Sequence, residues 1–175
     1  MTTTAKYPPL RIALHWLMVL LIVGVYATIN LKDFFPKGSS ARDGLKSWHF
    51  MLGLSVLVLV LIRLLARWMQ PGPPELPGPG WQLGLAKAVH WALYIFMIGM
   101  PLAGWLVLST AGKPVPFFGF ELPPLMGLDK ILSKQIKDVH ETVATIGYFV
   151  IGLHALAALF HHYVLKDNTL RRMWR

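Results

Sequence analysis

Cysteine is absent from this 175-residue chain. That excludes disulfides, iron–sulfur clusters, thiolate zinc sites and covalently attached c-type haem. Charge is also scarce: Asp, Glu, Lys and Arg make up 14% of the residues, where a soluble domain carries about 25%. The chain therefore has too little polar surface to face water on all sides. Acids are the rarest charged group, with 8 Asp and Glu against 17 Lys and Arg. A formal net charge of +9 raises the possibility of nucleic acid as a partner. However, the basic residues flank long apolar runs instead of forming one stripe, which points to membrane flanks and no nucleic acid.

What is abundant is apolar residues, 55% of the chain. A transmembrane helix needs about 20 of them in succession, and four stretches qualify: residues 12–31, 48–68, 88–112 and 142–165. The expected architecture is an all-α membrane protein, a four-helix bundle forming one integral membrane domain over residues 1–175. Pro101 should kink the third span. The proline-rich stretch from Gln70 to Gly80 reads as a short stiff tie. The connection from Lys113 to Asp138 sets aromatics among prolines, as at a membrane–water boundary, and LDKILSKQIKDVH then reads as an interfacial helix leading into the fourth span. The start of the chain reads as an uncleaved anchor and not a signal peptide. A slight excess of Lys and Arg on the side holding both termini votes for termini in the cytoplasm, with a bacterial inner membrane as the default location.

The seven histidines are His15, His49, His90, His140, His154, His161 and His162. All lie within or at the ends of spans, where imidazole is expensive without a partner. An interfacial position accounts for His161 and His162, and arguably His90, but not for His154. His140 and His154 are fourteen residues apart, so they share a helix face about 21 Å apart along the axis. The seam between them carries Ala144, Gly147 and Ile151. Such small side chains leave room for a flat macrocycle, although Gly147 also suits close helix approach. Matching depths pairs His49 with His140 and His15 with His154, as bis-imidazole ligation of two haem irons requires. His90 enters from the same side as His15 and competes with it. Arg63 lies fourteen residues after His49 and is a candidate partner for a haem propionate. Snorkelling to headgroups is the competing reading.

RIALHW at Arg11–Trp16, SWH at Ser47–His49, LIRLL at Leu61–Leu65 and the long run HETVATIGYFVIGLHALAALFHHYVLKDNTLRRM at His140–Met173 resemble the bacterial dihaem cytochrome b561 family. At least one member of that family acts as a membrane superoxide oxidase. The chain also resembles the cytochrome b subunits of formate dehydrogenases and nickel hydrogenases, and the likeness covers nearly its whole length. It implies two non-covalent b haems held by His15, His49, His140 and His154. It further implies electron flow from superoxide, or another small donor, on the outer side to ubiquinone on the inner side. Trp16, His90, His161 and His162 are then candidates for the quinone end. A cluster of Lys37, Arg42 and Lys134 would make an electropositive mouth for an anionic donor. An electron-relay subunit docked to a periplasmic redox partner, and a haem-free transporter, are the alternative readings.

Overall fold

The computed structural model describes residues 6–174. Four long helices dominate it: α1 (Pro9–Leu31), α2 (Ser40–Met69), α3 (Gly80–Thr110) and α4 (Lys130–Tyr163). Each is long and apolar enough to cross a membrane. Their starts follow from local chemistry. Pro9 sits in the first turn of α1, where a missing N–H costs nothing. The Ser39 hydroxyl caps α2 by accepting from the Arg42 amide. The Asp129 carboxylate caps α4 by accepting from the amides of Ile131 and Leu132. Pro101 lies buried inside α3, and the helix continues through it. The segment expected as a separate interfacial helix forms the first turns of α4 itself, because nothing between Lys130 and His140 breaks the helix.

Consecutive helices pack side by side, α1 on α2, α2 on α3 and α3 on α4. One core joins Leu14 and Met18 of α1 to Val56, Leu59, Val60 and Ala66 of α2 and Met97 of α3. α4 is different. It closes on α3 but stands off α1 and α2, and among its described residues only Ser133 and Gly147 are buried. Large apolar side chains elsewhere, such as Leu20, Phe149 and Leu156, are exposed, as lipid-facing surfaces require.

The two ends of the bundle are closed differently. At the end away from the termini, β1 (Val115–Phe117) and β2 (Phe120–Leu122) form an antiparallel hairpin with Phe117 opposite Phe120. Phe118 and Gly119 turn it with φ of 45° and 90°, as a two-residue turn of the type I′ kind demands. Val115 is buried against Leu54 and Leu108, and the Phe118 amide donates to the Met51 sulfur. The Lys113–Asp138 stretch, expected as an irregular boundary segment, thus carries a docked hairpin.

At the terminal end, residues after α4 fold back as a strap. The chain reverses at Lys166, with φ of 54°. The strap is then held by Trp16 Nε1 donating to the Met173 carbonyl at 2.8 Å, and by the Tyr7 amide donating to the Arg172 carbonyl. Arg172 Nη1 donates to the Pro74 carbonyl of the tie, and Arg11 Nη1 donates to the Gln70 carbonyl. Asp167 anchors the turn through His161 and the Thr169 amide. Burial pushes the Asp167 carboxyl up, but the hydrogen bonds from His161 and Thr169 outweigh it and hold it below the usual carboxylate range. A depressed folded-state pKa means that this anchor contributes fully at neutral pH and is lost as pH falls through the lowered value. Amide protection over residues 164–174, corrected for intrinsic exchange, should therefore drop in acid. Asp167→Asn should show the weakened protection already at neutral pH.

Candidate functional site

The bundle brings the histidines together at two levels. Away from the termini, His49 of α2 and His140 of α4 have ring centres 6.4 Å apart with planes at 77°. At the terminal end, His15 of α1 and His154 of α4 have ring centres 6.2 Å apart with planes at 66°. Two imidazoles bound to opposite sides of one metal, with metal–nitrogen bonds of about 2 Å, place their ring centres about 6 Å apart. Both pairs match that separation. His90 of α3 lies closer to His154, at 5.4 Å and 74°. That is a ring packed edge-on against a neighbour, tighter than a metal-bridged pair. His90 is thus no isolated headgroup residue; it belongs to the terminal-end cluster.

Surrounding groups fit metal ligation at the His49–His140 level. His49 Nδ1 lies 3.0 Å from the Val25 carbonyl. A proton held there and donated to that oxygen leaves Nε2 as the free donor atom. His140 Nδ1 is buried with no partner among the described residues. Gly104 of α3 faces this ring, and a Cβ on it would stand 3.5 Å from His140 Cε1. The helices that carry the paired imidazoles, α2 with α4 and α1 with α4, are also the ones whose backbones stay apart.

Arg63 reaches the terminal-end level, with Nη2 3.3 Å from His15 Nδ1. Among the described residues the half-buried Arg63 guanidinium makes no ion pair. As a hydrogen-bond donor it would need His15 Nδ1 unprotonated, whereas a His15 ligating through Nε2 carries its proton on Nδ1. Arg63 and a ligating His15 are compatible once the guanidinium turns to an anion. Trp16 packs on His15 with ring centres 5.4 Å apart and on Trp174 of the strap. His161 is tied to Asp167, and His162 Nδ1 is buried with no partner among the described residues.

Two expectations from the sequence are corrected. Gly147 does not open a smooth seam, because the Tyr26 hydroxyl and the Phe96 ring already press on it; a Cβ there would lie 2.5 and 2.6 Å from them. Arg42 does not join Lys37 and Lys134 in a free cationic mouth. Its guanidinium is held by the Lys32 and Phe35 carbonyls and the Asp33 carboxylate. Sequence reasoning missed Tyr26, Phe96, Asp167 and the Val25 carbonyl. Only Tyr26, a polar side chain deep in an apolar span, and Asp167, just after the paired histidines, gave any signal.

The model of the prokaryotic cytochrome b561 family matches residues 6–175. The chain belongs to that family. It is 41% identical over 169 residues to the probable superoxide oxidase CybB of Yersinia pestis, covering 96% of this chain and 95% of that protein. It is 40% identical to cytochrome b561 homolog 1 of Escherichia coli K12, covering 96% of each. Identity to cytochrome b562 of Cereibacter sphaeroides is 28%, covering 100% of this chain and 99% of that protein. Membership implies b-type haem in a bacterial membrane protein of electron transport, and the paired imidazoles suit it. Because a Cβ at Gly104 makes only ordinary contact with His140, Gly104→Ala should keep the parent haem absorbance. Gly104→Leu, which has to displace the ring, should lower it.

Proposed function

We propose that this cytochrome b561 holds two b haems, one between His49 and His140 and one between His15 and His154, and moves electrons between the two faces of a bacterial inner membrane. The observation that carries the reading is the pair of imidazole separations, 6.4 and 6.2 Å, at two depths along α4. Each haem supplies a one-electron couple at its iron. The chain's own residues do the remainder. His49 keeps its ring oriented by donating Nδ1–H to the Val25 carbonyl, and Arg63, now beside His15, would neutralise a propionate. The bundle keeps water away from both levels, which together with the ligands sets the potentials.

The donor assignment draws on the relative named a probable superoxide oxidase, at 41% identity. Each superoxide would give up one electron at the hairpin end and leave as dioxygen. Two electrons and two protons would then reduce one ubiquinone to ubiquinol at the terminal end. Three buried polar atoms that find no partner among the described residues favour that end for a quinone: Gln70 Oε1, His162 Nδ1 and Arg172 Nε. Buried polar groups need partners, and the two nitrogens can donate to the carbonyl oxygens of a quinone head. His161 and Asp167, with Trp16 and His90 nearer the His154 level, complete the candidates there. His161 Nδ1 and the Asp167 carboxylate are in hydrogen-bond contact there, beside the membrane surface. In this orientation both termini are cytoplasmic and the hairpin faces outward.

Haem-loaded protein in detergent should be reduced by a steady superoxide source and reoxidised by ubiquinone. Absence of reduction under superoxide would overturn the donor assignment. His140→Ala and His154→Ala should each lose one haem per chain in a pyridine haemochrome assay. His161→Ala should keep both while slowing reoxidation by quinone.

A further inference from the structure

Between the two histidine levels lies a contact that the proposed function does not use. Gly147 stands seven residues from His140 and seven from His154, halfway between the pairs. The Tyr26 hydroxyl of α1 and the Phe96 ring of α3 converge on it so closely that even a methyl group would collide with both. The Tyr26 hydroxyl is fixed there by donating to the Ala144 carbonyl at 2.7 Å. Its ring also packs on Tyr148 with centres 4.3 Å apart. α1 and α4 are not broadly packed on each other; Asn30 donates to the Tyr148 hydroxyl at the exposed edge, and Tyr26 joins the two helices in the interior. Glycine inside a helix is destabilising relative to alanine. An aliphatic filler would need no such concession at position 147. What the glycine permits is the approach of two aromatic rings to the α4 backbone at this depth.

We infer that Tyr26 and Phe96, seated on Gly147, form the bridge through which an electron crosses from the His49–His140 level to the His15–His154 level. The inference rests on the two-haem reading. Tunnelling weakens less steeply through close-packed matter than across gaps, and aromatic rings offer low-lying unoccupied orbitals for the coupling. One electron leaves the reduced centre at the outer level and arrives at the oxidised centre at the inner level. Neither ring is itself oxidised or reduced, and no proton moves. Tyr26 and Phe96 are positioning residues here, acting on the coupling between the two levels and on neither ligand set.

The test is a light-triggered injection of one electron at the hairpin end of purified dihaem protein, with its arrival at the inner haem followed by absorbance. Tyr26→Leu and Phe96→Leu should slow that arrival several-fold while haem content and both midpoint potentials stay at parent values. Tyr26→Phe keeps the ring and should transfer at the parent rate. If Tyr26→Leu loads haem poorly, Phe96→Leu carries the test, since Phe96 makes no polar contact that loading depends on. Parent-rate transfer in a fully loaded Leu variant would overturn the bridge and leave the two-haem reading standing. A parent protein that binds a single haem would remove that reading, and the bridge with it.

Discussion

An α-helix turns through nearly whole revolutions in fourteen residues, so side chains at that spacing leave the same face about 21 Å apart. α4 carries His140 and His154 at this interval, and the rest of the molecule is arranged around the consequence. One rigid rod presents two imidazoles to the bundle interior at two depths. α2 answers the first with His49 and α1 answers the second with His15, and the resulting ring separations of 6.4 and 6.2 Å agree with each other closely. Because both pairs share α4, anything that rotates that helix disturbs both levels together. This explains why α4 is anchored at both ends, by the Asp129 cap at one and by the strap beyond Tyr163 at the other.

Packing divides the labour. α1, α2 and α3 share an apolar core of ordinary kind, with Met18 and Val60 almost fully enclosed. α4 contributes almost nothing to that core and keeps its distance from the two helices whose histidines face its own. A helix packed for stability alone would interlock with its neighbours along a continuous seam. Here α1 and α4 are bridged by side chains, Tyr26 to the Ala144 carbonyl and Asn30 to the Tyr148 hydroxyl, and electrostatics follows the same division. The paired charges on the hairpin side, such as Lys32 with Asp33 and Lys137 with Glu141, lie at the surface. The half-buried Arg63 guanidinium lies beside a histidine instead of a carboxylate.

The spans and the histidine spacing were legible in the sequence because both depend on single-helix properties: continuous apolar length and helical period. The pairing of His15 with His154 was legible as a matter of depth alone. What depth could not decide was His90, which enters the bundle from the same face as His15, and the structure sets both rings beside His154, at 5.4 Å for His90 and 6.2 Å for His15. The hairpin escaped a reading by composition since PFFGF combines strand-forming aromatics with a proline. Its turn depends on positive φ at Phe118, a residue type that rarely takes it. Tyr26 against Gly147 was illegible for a different reason. It joins residues more than a hundred positions apart, and the small residues on α4 carried equal promise of an open seam. Arg42 likewise looked like free charge until the Lys32 and Phe35 carbonyls came into view.

Electron paramagnetic resonance of the oxidised protein at low temperature tests the central claim most directly. Imidazole planes at 77° and 66° to one another would give a ferric haem iron ligated by each pair, as proposed, a strongly anisotropic low-spin state. The account predicts two such low-spin signals of equal integrated intensity, one lost with each histidine pair. A single signal, or high-spin iron in the intact protein, would contradict it.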